Sequence, residues 1–294
     1  MGFTQGIFRT LALISLSVVT LTAAADSSVW KVSSGDNLLY VGGTLHVLRQ
    51  KDYPLPVEFG RAYQAADTLI FETDIAQLHS PEVMQKMQQA MRYPEGISGL
   101  DKRVSAALYQ RIVKVWSQYG LPVEVLSGLR PSGIVITLTL LNLRQIGVDA
   151  QGIDDFYHSR ATAEGKPVAG LESVDQQIRL LAGMGAGDEE KFMRMSLDEL
   201  EESGRVINEM VDAWRRGSLV DLERLVIDDM RRESPAAFRV LMVDRNQKWL
   251  PQIETMLHNR PVEFVLVGSA HLAGKEGLIY QLQQRGYRVE PVQN

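Results

Sequence analysis

The sequence predicts a mixed α/β fold, in which a central mixed sheet is assembled from the N- and C-terminal parts of the chain around a large helical insert. Three observations predict it. Short β-branched runs occupy 29–34, 37–44 and 68–72; the chain closes with a strand, turn, helix, strand pattern; and apolar residues recur at i, i+3, i+4 spacing through much of 101–260.

Taken in order, 29–34 and 37–44 read as a hairpin around Gly35-Asp36. After Pro54 and Pro56, 57–66 has a helical pattern, and 68–72 is a buried-type strand ending in Glu72. Ser80-Pro81 opens another helix as N-cap and first-turn proline. Helical periodicity continues in 104–116, 134–146, 206–214 and 219–230, and the apolar run 134–143 reads as a buried helix. One strand-like interruption, 166–172, stands inside the insert after a helix over 153–164. The Gly-rich stretch 183–188 reads as a helix–helix connection, because no strand precedes it and no Lys-Ser/Thr follows, as a phosphate loop would need. Strand 263–267, turn 268–271, helix 275–285 and strand 287–292 complete the chain. Trp30, Trp116, Trp214, Trp249 and the 11 methionines fall in the amphipathic patterns and read as core.

Residues 1–25 form a different kind of segment. A single cation, Arg9, precedes an uncharged apolar run from Leu11 to Ala25 that ends in Ala23-Ala24-Ala25. At about 15 residues the run is short of the roughly 20 that span a bilayer, and its end offers an A-x-A cleavage site. The expectation is a cleavable signal peptide, a periplasmic or secreted mature domain over 26–294, and no stable membrane anchor after cleavage. With 0 Cys, disulfides and a lipidated cysteine are excluded, so stability must come from the core. The net charge of −5, one unit more negative once Arg9 is lost, disfavours nucleic acid as a partner.

Only 5 histidines are present, and two recur in one setting, Gly43-Thr-Leu-His46 and Gly268-Ser-Ala-His271, each after a β-rich run. Glycine allows a sharp exit from a strand, so a His three residues later projects over its carboxyl edge, where ligands gather in open α/β sheets. With Glu72 at a third strand end, two imidazoles and one carboxylate meet the requirements of a catalytic divalent ion with open positions. His46, His271 and Glu72 are therefore candidate metal ligands, for Mn, Co or Zn, and Glu72 is also a candidate base. A metal so held would lower the pKa of bound water toward roughly 7. Glu172, at another strand end, reads equally as an acid orienting a His or as a charge at a helix N-terminus. Asp154 and Asp155 read as helix-start acids, and His158, four residues on, as surface that shares their helical face. His79 and His258 read as helix-end residues. No Gly-x-Ser-x-Gly elbow, His-Glu-x-x-His helix, Walker loop or Rossmann fingerprint occurs.

These turns, together with Gly152-Ile153-Asp154, Lys166-Pro-Val-Ala-Gly-Leu-Glu172 followed by Gln176 and Gln177, and Asp244-Arg245-Asn246-x-x-Trp249, resemble the TraB/GumN (Tiki-like) family in the same order over about 29–292. The resemblance implies an outline like that of erythromycin-esterase-like and ChaN-like proteins, and a metal-dependent peptidase acting on a peptide or small-molecule substrate in the cell envelope. It adds Arg245 and Asn246 as candidate catalytic residues, Arg245 to steady an oxyanion or hold a substrate carboxylate. Two alternatives stay open: a metal-independent, esterase-like hydrolase with His46 as base, and a non-catalytic module binding haem, a small ligand or a peptide at the same rim.

Overall fold

The computed structural model describes residues 27–293; the expected signal peptide lies outside the described residues. Val29–Ser34 (β1) and Asn37–Thr44 (β2) pair antiparallel through the tight turn at Gly35, whose positive φ suits glycine. The short Val47–Leu48 (β3) follows, then Thr68–Phe71 (β4), Ala150–Gln151 (β5), Val168–Gly170 (β6), Glu263–Gly268 (β7) and Arg288–Pro291 (β8). Six of these form one sheet in the order β6-β4-β7-β2-β1-β8, while β3 and β5 make a separate antiparallel pair. The four strands β6, β4, β7 and β2 run parallel, and β1 is antiparallel to both its neighbours. The two ends of the chain thus build one sheet, as the sequence predicts, with β7 inserted between β4 and β2.

Parallel strands are covered on both faces and read as continuous apolar runs. Residues 263–267 of β7 are all buried. Alternation sorts its side chains: Phe264 and Leu266 join one core with Phe59, Tyr157 and Trp214, whereas Val265 and Val267 join another with Trp249, Ile253 and Leu278. The helix Ile153–Glu164 therefore covers one face and Asp244–Met256 the other.

This refines the expected single insert over 101–260, because those two helices belong to the sheet. The insert proper has its own core, in which Leu108, Ile112 and Trp116 pack with Ile134, Leu138, Met193 and Leu197. The expected helices over 206–214 and 219–230 also change. The first is the end of one 27-residue helix, Glu189–Arg215, about 40 Å long at 1.5 Å per residue. Met193 and Leu197 at its start sit in the insert core, and Val211 and Trp214 at its end sit against the sheet, so this helix ties the two together. The Trp214 indole donates to the Gly43 carbonyl of β2 at 2.7 Å. The second becomes a helical run broken by a π-turn at Glu223–Ile227, and another π-turn, Arg239–Val243, feeds directly into Asp244–Met256. All four tryptophans are core, but Met84 is more than half exposed, so the methionines are not uniformly buried. The apolar run 134–143 lies in Pro131–Gln145, which buries one face only and leaves Leu140 exposed.

Candidate functional site

Parallel pairing places the carboxyl ends of β2, β4, β6 and β7 at one edge, with Thr44 opposite Gly268 and Phe71 opposite both Gly170 and Leu266. The residues just past those ends are His46, Glu72, Glu172 and His271. The sequence leaves Glu172 undecided; its position two residues beyond β6 brings it to the same edge.

At the centre lies Arg245, near the start of Asp244–Met256. Its Nε and Nη2 donate to the two oxygens of Glu172 at 3.2 and 2.7 Å, and Nη2 also donates to Glu72 Oε2. Nη1 donates to His271 Nε2 at 2.9 Å and more distantly, at 3.5 Å, to the Leu241 carbonyl in the preceding π-turn. The guanidinium stacks 4.5 Å from the Trp249 ring, one turn further along the helix, and the same indole lies 4.5 Å from the His271 ring. Glu72 Oε1 accepts the Gly268 amide at 2.7 Å. Gln177 approaches Glu72 Oε2 at 3.4 Å.

The tautomer of His271 follows from its partners. The Asn246 amide nitrogen donates to the carbonyls of His271 and Glu276, which turns its Oδ1 toward His271 Nδ1 at 2.7 Å. His271 Nδ1 therefore carries the proton, and Nε2 presents a lone pair to Arg245. Burial drives the imidazole down to about 4, so it is neutral. Burial opposes the charge of Glu72, but the Arg245 guanidinium, the His46 imidazolium and the Gly268 amide outweigh it and hold the carboxyl well below the ordinary glutamate range.

His46 is built differently. Its side chain is 68% exposed, against 4% for His271 and 12% for Arg245. Nδ1 meets Asp154 Oδ2 at 2.9 Å, and Asp154 Oδ1 accepts the Thr44 hydroxyl at 2.9 Å. Asp154 stands in the first turn of Ile153–Glu164, whose start is pinned by the Ile153 amide on the Leu45 carbonyl. A Cβ at Gly152 would land on the His46 carbonyl, so only glycine admits this close approach. The charge of Asp154 raises the His46 imidazole to about 9 against desolvation, with its hydrogen bond and Glu72 adding to the rise. The two Gly-x-x-His segments thus deliver one exposed cationic imidazole and one buried neutral imidazole.

Between them is a space kept by Gly268. A side chain there would start 3.2 Å from Glu72 Oε1, 3.6 Å from His46 Nε2 and 3.7 Å from His271 Cδ2. A cleft of about 400 Å³ past the end of β6, lined by Asp74, Gln77, Glu172, Ser173 and Gln176 among others, shares Glu172 with the cluster but is not lined by His46, Gly268 or His271.

The metal expectation is corrected by this geometry. Among the described residues no group of three or more His, Asp or Glu side chains is arranged to hold a metal ion. The reason is Arg245: its guanidinium occupies the position between Glu72 and His271 that a metal would take, using His271 Nε2 and Glu72 Oε2 as its own acceptors. The donor set does not fit Mn, Co or Zn, and the metal-binding and metalloprotease readings of the paired Gly-x-x-His motif fall with it. All five N–H groups of Arg245 face protein acceptors, which leaves none for an oxyanion or a substrate carboxylate.

Of the remaining candidates, Asp154 is the one the sequence reading undervalued. A helix-start acid is ordinary, and only the β3–β5 pairing brings it to His46. Asp155 instead pairs with His79 at 3.4 Å on the surface. His158 packs edge-on against Phe71, 5.9 Å away, without entering the cluster. His258 is held at Nδ1 by the Glu254 carbonyl at 2.6 Å.

Fold and cluster together define an α/β protein whose imidazoles, carboxylates and one guanidinium gather at the carboxyl edge of a mostly parallel sheet. The chain belongs to the TraB/PrgY/gumN family, whose model matches residues 28–291. No curated protein and no solved structure gives a match.

Proposed function

We propose that the chain is an exported, metal-independent hydrolase in which His46, oriented by Asp154, is the general base. The observation that carries this reading is the His46–Asp154 pair: Nδ1 is fixed by the carboxylate, and Nε2 is left toward the space beside Gly268. A fixed Nδ1 sets the tautomer and steadies the imidazolium formed when Nε2 takes a proton from water. In this proposal Arg245, Glu72, Glu172, His271 and Asn246 are positioning residues that set the shape and charge of the floor. The erythromycin-esterase-like and ChaN-like outline belongs to the same proposal, supported by the parallel strands that end in His46 and His271. So do the peptide or small-molecule substrate in the cell envelope and the removal of residues 1–25. Among the described residues no helix is long and apolar enough to cross a membrane.

The test is hydrolysis of an ester and peptide panel by the purified protein, with and without a chelator. Chelator-resistant turnover that falls by about 10²–10⁴ in His46→Ala supports the reading. Turnover abolished by the chelator, or unchanged in His46→Ala, overturns it. The full commitment of Arg245 to protein acceptors favours a second reading, a non-catalytic ligand-binding rim. Saturable binding of a panel member with no turnover would select that one.

A further inference from the structure

The sheet has two edges, and they are finished differently. At one, β8 carries Arg288 and Glu290, paired with each other at 2.7 Å, and closes on Pro291. Charges and proline are the usual means by which an edge strand refuses a neighbour. At the other, β6 is Val168-Ala169-Gly170, uncharged and exposed at all three residues, with Val168 41% exposed.

The outward row of β6 is open for a physical reason. The Leu69 amide donates to the Pro167 carbonyl at 3.0 Å, and the Leu171 amide to the Phe71 carbonyl at 2.9 Å. In a parallel ladder alternate residues face the same neighbour, so Pro167, Ala169 and Leu171 bond to β4 while the N–H and C=O of Val168 and Gly170 point away from the sheet. Among the described residues no strand lies on that side. The two protective residues nearby leave this row untouched. Pro167 lacks an N–H that would have faced β4, and the Lys166 ammonium is drawn back to the Tyr63 carbonyl at 3.1 Å and to the Ala66 carbonyl.

The free row leads into the cleft past the end of β6, whose wall begins at Gly170 and includes Glu172. The charged residues lining this cleft, Asp74 and Glu172, are both acids. Arg245 neutralises Glu172, whereas the carboxylate of Asp74 meets only the amide and side chain of Gln77.

We propose that the free edge of β6 and the adjoining cleft bind an extended segment of a substrate polypeptide, which adds as a further strand beside β6 and sets a Lys or Arg against Asp74. This deepens the hydrolase reading by naming its substrate class, and rests on that reading for turnover but not for binding. The added strand would lie four strand spacings from β2, about 19 Å at ~4.8 Å each, a gap that about six extended residues span to reach His46.

The probe is a fluorescein-labelled peptide of alternating Val and Thr with a Lys pair at one end or the other, titrated by anisotropy. Expected are saturation below ~1 mM for one of the two peptides and slowed amide exchange at Val168 and Gly170. Methylating alternate backbone nitrogens of the peptide, which keeps its side chains, weakens binding about tenfold or more, as does Val168→Pro. Asp74→Asn, which keeps the helix cap, weakens the Lys peptide but not one with Gln in place of Lys. No saturation, equal binding of the methylated peptide, or unchanged exchange at Val168 and Gly170 overturns the edge site. If Val168→Pro does not fold, the methylated peptide decides on the unaltered protein. Backbone-dependent binding with no hydrolysis of any ester or peptide leaves the edge site standing and sinks the hydrolase reading alone. Turnover with binding indifferent to methylation does the reverse. Where a longer peptide carrying the segment is cut, the cut falls about six residues from it; cuts unrelated to the segment overturn its role as a substrate site.

Discussion

His46 and Arg245 show how differently two residues of one cluster work. The His46 imidazole is held near 9 by Asp154, so at neutral pH it carries a proton, and its base form grows as the pH rises. Hydrolysis is expected to climb with an alkaline limb approaching pH 9. In Asp154→Asn the limb moves down toward ~6.5, the ordinary histidine value, with a lower plateau; a pH–rate profile for the two proteins checks both. Arg245 answers to stability instead. Removing it leaves Glu72 and Glu172 buried against each other, and Arg245→Ala should cost about 3–5 kcal/mol. That is a Tm fall of roughly 6 °C or more by calorimetry. Arg245→Lys restores little of it, since a point charge cannot span both carboxylates and His271.

At the scale of elements, the site depends on how chain ends are joined. The helix Ile153–Glu164 carries Asp154 only as close to His46 as Gly152 permits. Gly152→Ala is expected to push that helix start away from the His46 carbonyl and to lower activity by about tenfold or more through loss of orientation. The signature is an activity–pH limb shifted as in Asp154→Asn, with a smaller change in Tm than Arg245→Ala produces. Gly268→Ala places a methyl in the space between the two imidazoles and should raise KM more than it lowers Tm. The π-turn at Arg239–Val243 bears on the same site, because it re-phases the helix just before Arg245 and frees the Leu241 carbonyl to meet it.

For the whole molecule, the cluster fixes the direction of pH dependence. The Glu72 carboxyl is held below its ordinary value on folding, so its contribution is full above the unfolded value of 4.5 and is lost as pH drops through the lower folded one. His271 is depressed from 6.5 to about 4, and folding keeps it neutral, so stability also declines as pH falls below 6.5. Both act in the same sense, and Tm measured from pH 7 to pH 3 should decrease steadily. His271→Asn should flatten the part between pH 6.5 and 4. The raised value of His46 acts the other way, with stability lost as pH rises through 9, but its exposure leaves that term small.

Local signals in the sequence were enough for the six strands of the main sheet, because β-branched runs and the Gly35 turn act within a few residues, but not for the short β3 and β5; they also found edge residues that sit just after strand ends. The sequence alone put His46, Glu72, Glu172 and His271 just after strand ends; that those strands run parallel and open at one edge was decided by their pairing. The sequence determined neither the environment of each group nor which cation stands among them. Those were decided by β7 entering between β4 and β2, by β3 pairing with β5, and by Asp244–Met256 lying across the sheet. Such contacts join residues from 26 to more than a hundred positions apart, and no local periodicity encodes them. Arg245 reads as a clamp for an oxyanion or a substrate carboxylate until the packing puts it between Glu72 and His271. There the attraction of two buried carboxylates makes the guanidinium the resident cation of the site.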